Sequence, residues 1–264
     1  MMQDVKCVLI DIDGVVHQRG VSIPGSLDAI ARLQRSGLDF CFLTNTTSVP
    51  HREIVGQLAA LGIVTAAWRV FTPAFSARLL IEERGLDPYL LVRSALLEDF
   101  SGLQTGGKPA VVIGDALDEF SYHRLNTAFR LLEDGAEFLA LAPNRYFRDS
   151  DGKLSLDGGA FVAALEYATG RKADVAGKPS ANFFCSTVAR MGHRPAQSVM
   201  IGDDAEFDVS AAINAGLRGI LVRTGKYKPF AEANAEPKPT VVCADLAAAV
   251  DLIMSDRTVA RQSA

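Results

Sequence analysis

Two aspartates stand one residue apart at the end of an apolar run, Cys7-Val8-Leu9-Ile10-Asp11-Ile12-Asp13-Gly14-Val15-Val16. The run has strand character, and the glycine frees the backbone to turn. If strand geometry persists through Asp13, both carboxylates point the same way. Like charges this close repel, so a cation or a shared proton must hold them together. A solvated Asp-Gly turn explains the same letters without chemistry.

Three later segments pose the same choice. Thr44 and Asn45 follow the apolar stretch Asp39 to Leu43, Lys178 sits in Gly177-Lys178-Pro179-Ser180, and Asp203, Asp204 and Asp208 follow the apolar stretch Ser198 to Ile201. Taken singly, Thr44 is a helix cap, Lys178 a surface lysine, and Asp203 with Asp204 a charged helix start favoured by the dipole. Taken together, they suit phosphoryl transfer. Asp11 and Asp203 offer carboxylate oxygens, and Asp13 its backbone carbonyl, to a hard cation such as Mg2+, which keeps few protein ligands and several waters. The cation and Lys178 offset charge on the phosphoryl oxygens. Thr44 supplies a hydroxyl, and the amides after it, at a helix start, form an anion site. Asp11 then attacks phosphorus and forms an aspartyl phosphate. Asp13 protonates the leaving oxygen and later activates water.

These groups need elements that bring them to one edge. Helix signals cover Pro24 to Gly37, Val49 to Gly62, and Thr72-Pro73 to Gly85, alternating with strands at Asp39 to Leu43 and Arg69 to Phe71. That alternation predicts a doubly wound parallel α/β sheet, whose strand ends share one edge. Near Asp87-Pro88 the texture changes. Strands at Leu90 to Val92, Ala110 to Ile113 and Phe138 to Leu141, with helices at Ser121 to Gly135 and Ala160 to Gly170, form a smaller inserted α/β domain. The expected division is 1–87 and 174–264 for the core and 88–173 for the insertion. Core strands resume at Ser198 to Ile201, Gly219 to Val222 and Thr240 to Cys243. A helix from Asp245 to Met254 closes the fold, with the last ten residues expected to fray.

The 264 residues are 48% hydrophobic and 22% charged, ordinary for a soluble globular chain with a proper core. A net charge of -4 offers no footprint for nucleic acid or an anionic membrane. No apolar stretch approaches the roughly 20 residues that span a bilayer, and no signal peptide precedes the first strand. Cys7, Cys41, Cys185 and Cys243 lack metal-site spacing and read as buried, reduced thiols. A cytoplasmic location is expected.

DIDGV (Asp11 to Val15), LTN (Leu43 to Asn45), GKPS (Gly177 to Ser180) and GDDAEFD (Gly202 to Asp208), in this order, resemble the haloacid dehalogenase superfamily. The insertion between the second and third motifs resembles the branch with a large C2-type α/β cap, which includes the NagD-like phosphatases. Gly158 to Ser180 and Gly219 to Pro229 are similar to the phospholysine phosphohistidine inorganic pyrophosphate phosphatase group. The resemblance implies a Rossmann-like core and a Mg2+-dependent phosphatase of small phosphorylated molecules. Asp11 is then the nucleophile, Asp13 the acid/base and a ligand through its carbonyl, and Lys178 the charge balance. Thr44 and Asn45 hold the phosphoryl group, Asp203 ligates Mg2+, and Asp204 and Asp208 support the metal or its waters. Asp157-Gly158-Gly159 stands where relatives carry a Gly-Pro-Gly-like turn facing the site from the cap, so the three become candidate substrate contacts. Capped relatives often self-associate, so a homo-oligomer is also expected.

Other polar residues carry weaker expectations. Asn144, with Arg145, follows an inserted strand and is a candidate substrate contact. His17 is expected in an exposed turn, His51 and Arg52 on a solvated helix face, and Lys226 with Tyr227 at the rim. Asp115, in Val112-Ile113-Gly114-Asp115, reads as a strand-end turn residue despite echoing Met200-Ile201-Gly202-Asp203. Hydrolysis of pyrophosphate or a phosphorus–nitrogen bond, and a non-catalytic phosphate sensor, are the alternatives to ester hydrolysis.

Overall fold

The computed structural model describes residues 2–149 and 151–262. In chain order β1 (Cys7–Asp11) leads into a short ribbon of β2 (His17–Gln18) and β3 (Val21–Ser22), then α1 (Ser26–Ser36), β4 (Asp39–Leu43), α2 (His51–Ala60), β5 (Val70–Phe71) and α3 (Pro73–Arg84). Next come β6 (Leu86–Leu91), β7 (Lys108–Ile113), α4 (Tyr122–Glu133), β8 (Glu137–Ala140), a hairpin of β9 (Tyr146–Arg148) and β10 (Leu154–Leu156), α5 (Gly158–Thr169) and β11 (Asp174–Val175). The chain ends with α6 (Ala181–Arg190), β12 (Ser198–Gly202), α7 (Ala211–Asn214), β13 (Arg218–Val222), α8 (Pro229–Asn234), β14 (Val241–Cys243) and α9 (Leu246–Gln262).

The chain divides into two compact units. The core unit is 1–44, 54–71 and 178–264, and the inserted unit is 45–53 and 72–177.

The core unit carries a parallel sheet of order β14-β13-β12-β1-β4-β5. From β1 the chain first moves outward through β4 and β5, and later returns on the other side of β1 through β12, β13 and β14. This reversal between β1 and β12 makes a crevice outside their carboxyl ends. All five residues of β1 and all five of β12 are buried, as strands covered on both faces must be. Asp11 pairs across to Leu43, so the end of β1 lies beside the end of β4.

The inserted unit has a second parallel sheet, β11-β8-β7-β6. Along β7, Ala110 and Val112 join one buried cluster with Ala74, Ala77 and Ile81 of α3. Val111 and Ile113 join another with Ala128 and Leu132 of α4 and Val162 and Leu165 of α5. The period of two thus buries both faces of one strand under separate helix layers. Strand β6 runs through Asp87 and Pro88.

Several element ends match their chemical signals. Thr72 accepts the Phe75 N–H at 3.1 Å, Pro73 begins α3, and Gly85 ends it with φ +62°. Elsewhere the structure corrects the expectations. Helix α9, expected to close at Met254, extends to Gln262, and its Leu246, Ala249, Val250 and Ile253 side chains are fully buried; of the ten residues expected to fray, 263 and 264 lie outside those described. Helix α2 begins at His51 rather than Val49, because Pro50 lies at its entry and His51 N–H bonds the Asp99 carboxylate at 3.0 Å. Cys7 and Cys41 are buried free thiols, but Cys185 and Cys243 are only half-buried. Among the described residues no helix is long and apolar enough to cross a membrane.

Candidate active site

Strand β1 ends at Asp11, which is 5% exposed. The condition for Asp11 and Asp13 to point alike is therefore not met. Past the strand, Ile12 N–H bonds Leu43 O, Gly14 N–H bonds His17 O, and the chain turns, leaving the Asp13 side chain 52% exposed. His17 Nδ1 lies 3.5 Å from Asp13 Oδ1. His17 itself is buried, not in an exposed turn as expected, because the β2–β3 ribbon folds its ring inward. The four-residue spacing from Asp13 was its only signal in the sequence.

Lys178 sits just before α6 and is 3% exposed. Its ammonium donates to Asp11 Oδ1 and to Asp208 Oδ1, each at 2.5 Å. Burial alone would lower the lysine pKa, but the two carboxylates outweigh it and hold the pKa above the ordinary lysine range. For Asp11 burial dominates: it raises the carboxyl pKa well above the usual value against the pull of Lys178, and Asp208 and Asp203 add to the rise.

Asp203 follows β12 directly. Oxygens of Asp11, Asp203 and Asp208 lie within 4.8 Å of one another, and all three residues are buried. Burial, then the Asp208 charge, pushes the Asp203 pKa up to about 7. The Lys226 amide donates to Asp203 Oδ2 at 2.6 Å, while Oδ1 is buried with no hydrogen-bond partner. A buried carboxylate oxygen without a donor is costly unless something positive occupies the place beside it. The donors that face it are hard oxygens, the chemistry of Mg2+ rather than of thiolate- or imidazole-binding metals. The cluster therefore fits a hard divalent cation.

Asp208 reaches the cluster through a wide π-helical turn, Ala205–Ser210. Such turns are uncommon and recur at functional sites. The turn carries the Asp208 side chain back over Gly202, where a Cβ would lie 2.3 Å from the Asp208 Cβ, so only glycine fits. Asp204 is placed differently. Its Oδ1 accepts the N–H groups of Glu206 and Phe207 at 3.0 and 2.9 Å, so it caps the turn rather than joining the carboxylate trio. Lys226 is exposed, as expected of a rim residue, and its backbone amide is the group bonded to Asp203. Partial desolvation would lower the side-chain pKa, yet Asp11, Asp208 and Asp203 raise it.

Thr44 directly follows β4, is 3% exposed, and its N–H bonds Phe71 O at 3.1 Å. It does not cap α2, which starts seven residues later with the Asp99 carboxylate on its first amide. His51 stacks on Phe75, and exposed Arg52 pairs with Glu98. The anion-binding helix start expected after Thr44 is therefore absent from this place.

Asn45, Asn144, Asp157, Gly158 and Gly159 belong to the inserted unit and are assembled there with one another. Asn144 Nδ2 donates to Asn45 O at 3.4 Å, and Gly159 N–H to Asn144 O at 3.0 Å. Asp157 caps α5, and burial raises its pKa despite bonds from the Gly158 amide and Asn144. A Cβ on Gly158 would strike Gly114 O, and one on Gly159 would strike Asn144 O, so the pair lets α5 dock on two strand ends. Asp115 is a buried partner of Arg93 and accepts the Leu117 N–H.

A model for haloacid dehalogenase-like hydrolases matches residues 8–115, and a second HAD-hydrolase-like model matches residues 175–249. The haloacid dehalogenase-like hydrolase domain-containing protein 2 of Bos taurus is 43% identical over 250 residues, 95% of this chain and 96% of the relative. The phospholysine phosphohistidine inorganic pyrophosphate phosphatase of Homo sapiens is 41% identical over 256 residues, covering 95% of this chain and 94% of its own. The crystal structure of a 4-nitrophenylphosphatase from Thermotoga maritima superposes with a TM-score of 0.86 at 28% identity, covering 96% of this chain and 98% of that one.

Proposed function

The chain belongs to the haloacid dehalogenase-like hydrolases and is a phosphatase of that family, and from this premise we propose that Asp11 of the core unit attacks the phosphorus of a small phosphorylated metabolite in a Mg2+-dependent hydrolysis. The observation that carries the reading is the pairing of Asp11 with Lys178 beside two further buried carboxylates. Three buried carboxylates share one buried lysine, so the acid groups outnumber their counter-charge. That excess is expensive in a stable fold and useful only to a site that takes up a cation.

Lys178 keeps Asp11 oriented, with one oxygen in its hydrogen bond. The other carboxylate oxygen forms the bond to phosphorus as the bond from phosphorus to the leaving oxygen breaks. Asp13, half-exposed beyond the strand end, gives its proton to that leaving oxygen. It then takes a proton from the water that attacks the aspartyl phosphate, which frees inorganic phosphate and restores Asp11. The Lys178 ammonium and the Thr44 hydroxyl balance the phosphoryl oxygens during both steps. Asp11, Asp203 and the Asp13 carbonyl are the groups that would hold Mg2+, with Asp208 behind them. When bound, the ion supplies further positive charge to those oxygens.

The test is Asp11→Asn. Mg2+-dependent release of nitrophenolate from p-nitrophenyl phosphate should fall at least about 1,000-fold, because removal of an attacking group leaves only residual binding effects. The circular dichroism spectrum should not change. Undiminished turnover would remove Asp11 from the reaction. A wild-type rate on pyrophosphate above that on esters would move the substrate to the anhydride class.

A further inference from the structure

The turn after β13, Thr224-Gly225-Lys226-Tyr227, has no part in the chemistry above, yet it meets the site at three points. The Thr224 hydroxyl donates to Gly14 O at 2.5 Å. The Lys226 N–H donates to Asp203 Oδ2 at 2.6 Å. Gly225 has φ +56°, and a Cβ there would lie 1.9 Å from Asp203 Oδ2 and 2.5 Å from the Gly14 Cα. Gly14 answers it from the other side. With φ +86°, a Cβ on Gly14 would lie 2.0 Å from the same oxygen and 2.9 Å from the Gly225 Cα. Two bare glycine backbones therefore press together against one oxygen of Asp203. The Tyr227 N–H to Thr224 O bond at 3.0 Å closes the turn that delivers one of them.

We propose that Thr224, Gly225 and the Lys226 amide form a latch that positions Asp203 as a metal ligand and ties it to the loop carrying Asp13. A carboxylate on a short side chain turns freely about its last bond. Holding Oδ2 in an amide bond, with glycine backbones on either side, stops that rotation. It leaves Oδ1, the oxygen with no protein donor, presented to the cation. Because Thr224 bonds to the carbonyl of Gly14, the same turn fixes the chain just beyond Asp13, whose own carbonyl is a proposed ligand. Partners that orient a ligand in this way typically change metal affinity about 10–100-fold when removed. These are positioning residues, and the inference rests on the proposed metal role of Asp203.

The experiment measures Mn2+ binding from loss of the free-ion electron paramagnetic resonance signal, without turnover. Thr224→Val and Gly225→Ala should each weaken Mn2+ about 10–100-fold. At saturating metal the KM for p-nitrophenyl phosphate should stay within about threefold of wild type, since the latch touches the ion's ligand and not the substrate. Thr224→Ser restores the donor and should bind Mn2+ within about threefold of wild type, a rescue that a purely packing role would not give. Wild-type affinity in both Thr224→Val and Gly225→Ala overturns the latch. Failure of the wild-type protein to take up Mn2+, or full binding by Asp203→Asn, overturns the metal role of Asp203 instead.

Discussion

Two parallel sheets in this chain end in nearly the same four residues. Met200-Ile201-Gly202-Asp203 closes β12 of the core unit, and Val112-Ile113-Gly114-Asp115 closes β7 of the inserted unit. Both aspartates are buried. Asp115 meets Arg93, whose Nε lies 2.7 Å from Oδ2, and the Leu117 amide reaches its other oxygen. Asp203 meets Asp11 and Asp208, and its Oδ1 meets no donor. The sheets differ in the same sense. In the core the strand order reverses beside β12, whereas in the inserted sheet β6, β7, β8 and β11 follow one another in a single direction. A reversal separates the flanking connections and leaves a crevice, and a one-way order does not. The same strand-end aspartate is thus a closed structural contact in one unit and an open electrostatic demand in the other. What separates them is whether the fold supplies its counter-charge.

The largest effect should come from removing each aspartate in turn, with opposite outcomes. Asp203→Asn should lower kcat/KM at least about 100-fold at moderate Mg2+, since it removes a proposed ligand. The metal-free variant should nevertheless melt no lower than wild type at pH 7.5, because it loses a carboxylate that burial disfavours. Asp115→Asn should do the reverse. It leaves Arg93 without its charge partner and should cost about 1–3 kcal/mol in urea unfolding, toward the low end because Arg93 is partly solvated. If Asp203→Asn proved the less stable of the two, the contrast between an open and a closed site would collapse.

The glycines one position earlier sharpen the comparison at smaller scale. A Cβ on Gly202 would fall 2.3 Å from the Asp208 Cβ and 2.5 Å from its Cγ. Asp208 must then move, and with it Lys178, so Gly202→Ala should reduce turnover about 10–100-fold. On Gly114 the nearest atom is Leu141 Cδ1 at 2.6 Å, the end of a side chain that can rotate. Gly114→Ala should therefore cost about 1 kcal/mol, with activity retained. Equal losses in stability and in rate for both variants would mean that the closeness around Gly202 is ordinary packing.

How far this contrast was legible beforehand depended on the range of the interaction. Strand β4 and helix α3 could be read to within a residue because their signals are local: an apolar run, a Thr-Pro start, a glycine stop. The segments carrying Asp11, Lys178, and Asp203 with Asp208, which the structure brings together, could be read because each lies at a strand or helix end. Asp115 could be set apart from Asp203 only by the missing second acid, since Arg93 lies 22 residues away and nothing local joins them. His17 looked exposed because a two-residue ribbon carries too few letters to betray its packing. Thr224 and Gly225 were invisible for the same reason. Their partners, Gly14 and Asp203, are brought to them only when β13 pairs beside β12 and β12 beside β1.

The smallest and most specific effect is linked to protons. The Asp203 pKa is raised to about 7 in the folded chain, first by burial and then by Asp208, against about 3.9 for an unfolded aspartate. Between these values the unfolded state has released a proton that the folded state keeps. Folded chains then bind more protons than unfolded ones, so stability falls as pH rises through this window and levels off above about 7. In chelator-treated protein the melting temperature of Asp203→Asn minus that of wild type should therefore be near zero at about pH 4 and widen up to about pH 7. Each 1 kcal/mol of the effect appears as about 2–4 °C in a chain of this size. Adding Mg2+ should raise the wild-type melting temperature more at pH 7.5 than at pH 5.5, because the ion and the proton compete for the same oxygens. It should leave Asp203→Asn almost unmoved. Asp115→Asn, in which Arg93 rather than a proton was the partner, should show no Mg2+ term of its own. Its melting curve should shift downward by the same amount with and without the ion. A Mg2+ response lost in Asp115→Asn and kept in Asp203→Asn would reverse the assignment of the two strand ends.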